Sequence, residues 1–146
     1  MSAPRLSSPD CWPAAAEQLV AAGDRGALRD LVAAYDSPVE GSRRSLLKAM
    51  RALGGVAEAT RLASSPDAVD RRLAARLMHL LPDEHHLSSL ESLVADPEIT
   101  VATAARRAMR GQRRTHEWHA AVDRLTHAES PALRDAAADW LAESAG

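Results

Sequence analysis

An all-α repeat fold is what this chain predicts, and three observations predict it. The first is composition. Of 146 residues, 31 are Ala and 18 Leu, against a single Ile and no Phe or Asn. The strongest helix formers dominate, and the β-branched and aromatic strand formers are scarce. The second is spacing: apolar residues recur at i, i+3, i+4 and i+7 in several segments. The third is a set of prolines at 38, 66, 97 and 131, separated by 28, 31 and 34 residues. Each is flanked by a helical pattern on both sides. A period near thirty with two helices per unit is the pattern of an α-solenoid. A plain bundle of four or five helices is the competing arrangement, whereas an all-β domain is ruled out.

The elements follow in order. Residues 1–12 carry Pro4, Pro9 and several serines with little periodicity, and read as a flexible lead-in. Pro13 opens a first helix that ends at Gly23. Leu28, Leu31, Val32 and Tyr35 form an apolar stripe before Pro38, and LGG at 53–55 reads as a helix stop. After Pro66, the stripe is Val69, Leu73, Leu77 and Leu80; before Pro97, it is Leu87, Leu90 and Val94. A Ser or Asp precedes each of the four prolines, a pairing that predicts a capped helix start at that point. Counted from the prolines, position +12 is Met50, Met78 and Met109, position +11 is Ala49, Leu77 and Ala108, and position +8 is Leu46, Ala74 and Ala105. These sets share one helix face and predict a buried column in each second helix. The fourth copy, SPALRDAAADWLAES, places Ala136, Ala137, Trp140 and Leu141 where the Met column ran, as a terminal capping unit would.

SPALRDAAADWL and SPDAVDRRLAARLMHLL resemble the second helix of HEAT repeats, in particular the short bacterial HEAT-like type. The third copy departs from that pattern, with Thr100 and Val101 where Arg would stand. The resemblance spans about residues 24–144. It implies a right-handed stack of about four helical hairpins over 13–146, a single domain whose second helices line a concave surface. Some relatives of this kind are DNA glycosylases and others act on bilins, but no active-site acid or cofactor-binding residue can be placed here. The motif specifies architecture far more than function.

Charge is segregated. The segments 38–54, 66–81 and 97–114 hold twelve bases and four acids, a net of +8 in a chain whose total is −2. The remainder is therefore at −10. Lys48, Arg76 and Arg107 share position +10, Arg51, His79 and Arg110 share +13, and Arg44, Arg72 and Thr103 share +6. Positions +6, +10 and +13 fall on one side of a helix. Stacked repeats would turn Arg44, Lys48, Arg51, Arg72, Arg76, Arg107 and Arg110 into one exposed basic strip. Such a strip predicts an anionic partner: an acidic protein or peptide first, nucleic acid phosphates as the alternative. A pI near 6.3 favours the first. Repeated surface arginines also arise as a solvated, locally paired face.

No catalytic constellation accompanies the strip. There is no GxGxxG, no phosphate loop, no GxSxG and no HExxH, so the expectation is a non-enzyme without a cofactor. His116, His119, Asp123 and His127 line one helix face, but without a recognised zinc spacing no metal site is predicted. Asp83-Glu84 and His85-His86 belong to a turn. Trp118 and Trp140 read as packing residues, and Trp12 as the anchor of the lead-in. One cysteine, Cys11, excludes an internal disulfide, and with no signal-like segment or membrane-length apolar run the expected setting is the cytoplasm.

Overall fold

A computed structural model describes residue 6, residues 8–38 and residues 40–145. The greater part of the expected lead-in, 1–5 and 7, lies outside the described residues. Among those described there are nine α-helices and no strand. They are α1 (Trp12–Ala22), α2 (Ala27–Asp36), α3 (Arg43–Ala52), α4 (Gly55–Ala63), α5 (Ala68–Leu80), α6 (Leu87–Leu93), α7 (Ile99–Gly111), α8 (His116–Leu125) and α9 (Pro131–Ala145). Short 3₁₀ turns at Pro9–Cys11 and Glu84–His86 lead into α1 and α6. The chain divides into two compact units, Met1–Glu58 and Ala59–Gly146.

In the first unit, α3 packs on both α1 and α2. Pro13 stands in the first turn of α1, and Gly23 closes that helix at φ 64, a left-handed conformation that suits glycine. Gly54, at φ 76, ends α3 in the same way, as LGG predicts. Leu28, Leu31 and Val32 are buried, as are Leu46, Ala49 and Met50 on the facing side of α3. Trp12 is fully buried and its indole Nε1–H donates to the Leu6 carbonyl at 2.7 Å, which ties Leu6 to the start of α1. The loop before α3 closes on this ring. A Cβ at Gly41 would stand 2.5 Å from Trp12 Cε3, so only glycine fits there.

In the second unit, α5 packs on α7 and α6 on α8, while α6–α7 and α8–α9 pack as consecutive pairs. Met78 and Met109 are 0 % exposed, as is Met50 in the first unit, and every +8 and +11 residue is buried as well. The buried column predicted from the proline register is therefore present in α3, α5 and α7. The stripe read for α5 needs correcting. Val69 is 59 % exposed, Leu73 and Leu80 are half-buried, and only Leu77 of the four is in the core. Ala74, Ala75, Leu77, Met78 and Leu81 do the packing instead.

The capping expectation is also displaced. Ser65 Oγ accepts from Asp67 N–H, and Asp96 Oδ1 from Glu98 N–H, so these two Ser/Asp-Pro pairs each make a turn ahead of the helix. Consequently α5 and α7 begin two residues after their prolines, and Asp67 caps α5 by accepting from Val69 N–H at 2.9 Å. In the first unit, α3 begins at Arg43, five residues after Pro38. Only α9 begins at its proline, with Ser130 Oγ near Leu133 N–H.

Candidate functional site

The seven residues of the predicted basic strip have different fates. Arg44, Lys48 and Arg51 in α3, and Arg72 and Arg107 in α5 and α7, are exposed. Arg76 is a correction: it is 7 % exposed and is not free. Ala74 through Met78 are all buried, so at this turn α5 has no outward face and register alone misplaces a side chain. Arg110 is exposed but committed, with its guanidinium forked onto Glu143 of α9 at 3.0 and 3.2 Å.

Several other arginines serve the fold. Arg43 donates to the carbonyls of Tyr35 and Ser37 and lies over the rings of Trp12 and Tyr35. Arg71 donates to the Ser65 and Pro66 carbonyls and bridges to Asp96 at 2.8 Å. Arg106 reaches the Val94 carbonyl, and Arg134 in α9 the Ala128 carbonyl. Arg114 donates to the carbonyls of Arg110 and Gln112 and stacks over Trp118 at 4.4 Å. These guanidiniums satisfy carbonyls that a helix end or a tight turn leaves orphaned. The signal was in the sequence, since Arg43 and Arg71 each stand five residues after a proline, but counting net charge hides it.

What is left as a basic surface is clearest on α3. The helix reads RRSLLKAMRA, with four bases and no acid. Arg44, Lys48 and Arg51 stand at i, i+4 and i+7, exposed, and make no ion pair with any described residue. Beside them, within the first unit, runs an open groove of about 290 Å³ between α1 and α3. Ala16 and Val20 line one wall, Ala49 and Ala52 the other, with Glu17 on the α1 lip and Lys48 on the α3 lip.

The second unit has a polar recess of about 390 Å³ at the turn before α6, lined by Asp83, Glu84, His85, Gln112, Arg113 and Thr115 among others. His85 Nδ1 lies 2.6 Å from Asp83 Oδ1, and this contact holds the imidazole pKa above its ordinary value. The His85 N–H, and then its ring, hold the Asp83 carboxyl below the usual range. Next to it His86 is fully buried, with Nε2 3.1 Å from the Leu81 carbonyl and Nδ1 without a hydrogen-bond partner among the described residues; burial pushes its pKa down. Gln112 Nε2 donates to the Met78 carbonyl and Trp118 Nε1 to the Met109 carbonyl, so these buried polar groups tie helices together. Thr115 Oγ1 is occupied in capping α8. His119 Nδ1 faces the Thr115 carbonyl and Nε2 faces Ser144 Oγ. Among the described residues, no three His, Cys, Asp or Glu side chains stand together as a metal ion would need. Nor is any described helix long and apolar enough to cross a membrane.

No family model, curated protein or solved structure matches this chain, so its functional reading rests on its own geometry.

Proposed function

We propose that the chain is a non-catalytic protein-binding module, a short array of HEAT-like helical hairpins whose α3 face takes an acidic protein or peptide. The observation that carries the reading is the row Arg44, Lys48 and Arg51, exposed on a helix without a single acid. Alternate-helix packing, α5 on α7 and α6 on α8, supports the repeat architecture, as does the methionine column buried in each second helix. Guanidinium forks suit carboxylate acceptors, and their long stems can lie on apolar surface while the charges stay wet. The partner face is smaller than the seven-residue strip, because Arg76 is buried and Arg110 is held by Glu143.

The test is a charge reversal of α3. The Arg44→Glu, Lys48→Glu, Arg51→Glu variant should keep its helical circular dichroism, since exposed charges add little to folding. Its affinity for a fluorescent polyglutamate probe should fall by about tenfold or more, chiefly through slower association. Binding equal to that of the unaltered chain would remove α3 as the partner face.

A further inference from the structure

We infer that the α1–α3 groove is a docking site for one amphipathic helix of a partner protein, with its apolar stripe in the groove and an acidic row on the Arg44–Lys48–Arg51 edge. The inference rests on the acidic-partner reading of α3 and names the form of that partner.

Two rows on α3 carry it. Ser45, Ala49 and Ala52 face the groove at i, i+4 and i+7; Arg44, Lys48 and Arg51 repeat the same spacing beside them. Seven residues of helix rise about 10 Å. A partner that meets both rows must present large apolar side chains and carboxylates in two neighbouring lines of that period. A helix does so from a single face, with anchors at i, i+3 or i+4, and i+7. An extended strand alternates its side chains between opposite sides and cannot. Alanines on both walls leave the space for the partner's larger side chains, which matches an open groove of about 290 Å³.

Charge fixes the orientation. The α3 lip is basic, whereas the α1 lip carries Glu17. A helix seated with its acids toward α1 would meet a like charge at Glu17 and forgo Lys48. Reversed seating is therefore selected against, as specificity by repulsion requires.

The experiment uses the full chain and three fluorescent probes. One is a helical peptide with a leucine row and a glutamate row side by side. The second has the same composition with the two rows on opposite faces, and the third is polyglutamate. The adjacent-row peptide should bind about tenfold or more tightly than the opposite-face peptide. The Ala21→Gln, Ala52→Gln variant fills the groove from two exposed positions that line it. It should abolish that preference and leave polyglutamate binding unchanged. If circular dichroism shows this variant misfolded, Ala52→Gln alone carries the same expectation. Equal affinity for the two peptides, or a preference that survives in the folded groove variants, overturns the docking helix. Should polyglutamate bind while the peptides show no preference, only the groove falls; should neither kind of probe bind, the acidic-partner reading falls with it. An oligonucleotide that outcompetes the adjacent-row peptide would also overturn the proposal.

Discussion

His85 and His86 are chain neighbours with opposite electrostatic fates, and this makes a local pH experiment decisive. His86 is fully buried and its pKa is lowered, so the folded state prefers the neutral ring. An unfolded histidine titrates near 6.5. As the pH falls from about 6.5 to the lower folded value, the unfolded chain binds more protons than the folded one, and stability drops. His85 runs the other way. Its pKa is raised first by the Asp83 contact, so its contribution is fully present below about 6.5 and fades as the pH rises through the folded value. Urea midpoints measured between pH 5 and 8 should therefore fall less on acidification in His86→Gln than in the unaltered chain. They should fall more in His85→Ala. Parallel curves for all three proteins would show that neither imidazole titrates differently on folding.

At the level of elements, loop ties are the feature that composition conceals. Arg71 joins the start of α5 to Asp96, just ahead of α7, and donates to two carbonyls of its own preceding turn. The Asp96 carboxyl is raised by burial, but the Arg71 hydrogen bond and the Glu98 N–H outweigh that and hold it low. A lowered carboxylate contributes stability above about pH 3.8 and loses it as the pH falls through the folded value. Asp96→Asn should thus lower the thermal midpoint at pH 7, and the deficit should shrink toward pH 3. Helix identity and the methionine column were legible because register from the prolines is a one-dimensional property, and Met50, Met78 and Met109 obey it. Side-chain fate on the polar face was not legible. Lys48, Arg76 and Arg107 share one register position, yet Arg76 is enclosed because α5 is buried all round at that turn. Helix starts moved for a comparable reason: Ser65 and Asp96 spend their side-chain oxygens on the turn at i+2, so the helix begins after it. For the candidate site, the basic row was readable in α3, whereas the groove beside it depends on α1 packing against α3, which no periodicity announces.

At the scale of the whole molecule, charge separates the two anionic partner classes. The chain totals −2, and outside its three second-helix segments it holds −10. A long polyanion approaching α3 therefore meets a chain whose residues outside 38–54 sum to −5, and steering acts only over roughly a Debye length, about 8 Å at physiological ionic strength. Affinity for duplex DNA falls with salt at a log–log slope of about −0.9 per phosphate neutralised, so a protein making about 6–10 phosphate contacts loses it steeply. The α3 row offers three exposed cations, Arg44, Lys48 and Arg51. Binding of duplex DNA through that row can then release counterions worth a slope no steeper than about −2.7. An acidic helix seated in the groove should be less salt-dependent still, because part of its affinity comes from apolar burial that salt does not screen. Titrations of the adjacent-row peptide and of a DNA duplex from low to moderate salt check this. The expected result is a shallow slope for the peptide and weak binding of the duplex throughout. A duplex slope well beyond −3 would require more cations than α3 supplies. It would make nucleic acid the partner and place its contacts beyond the α3 row.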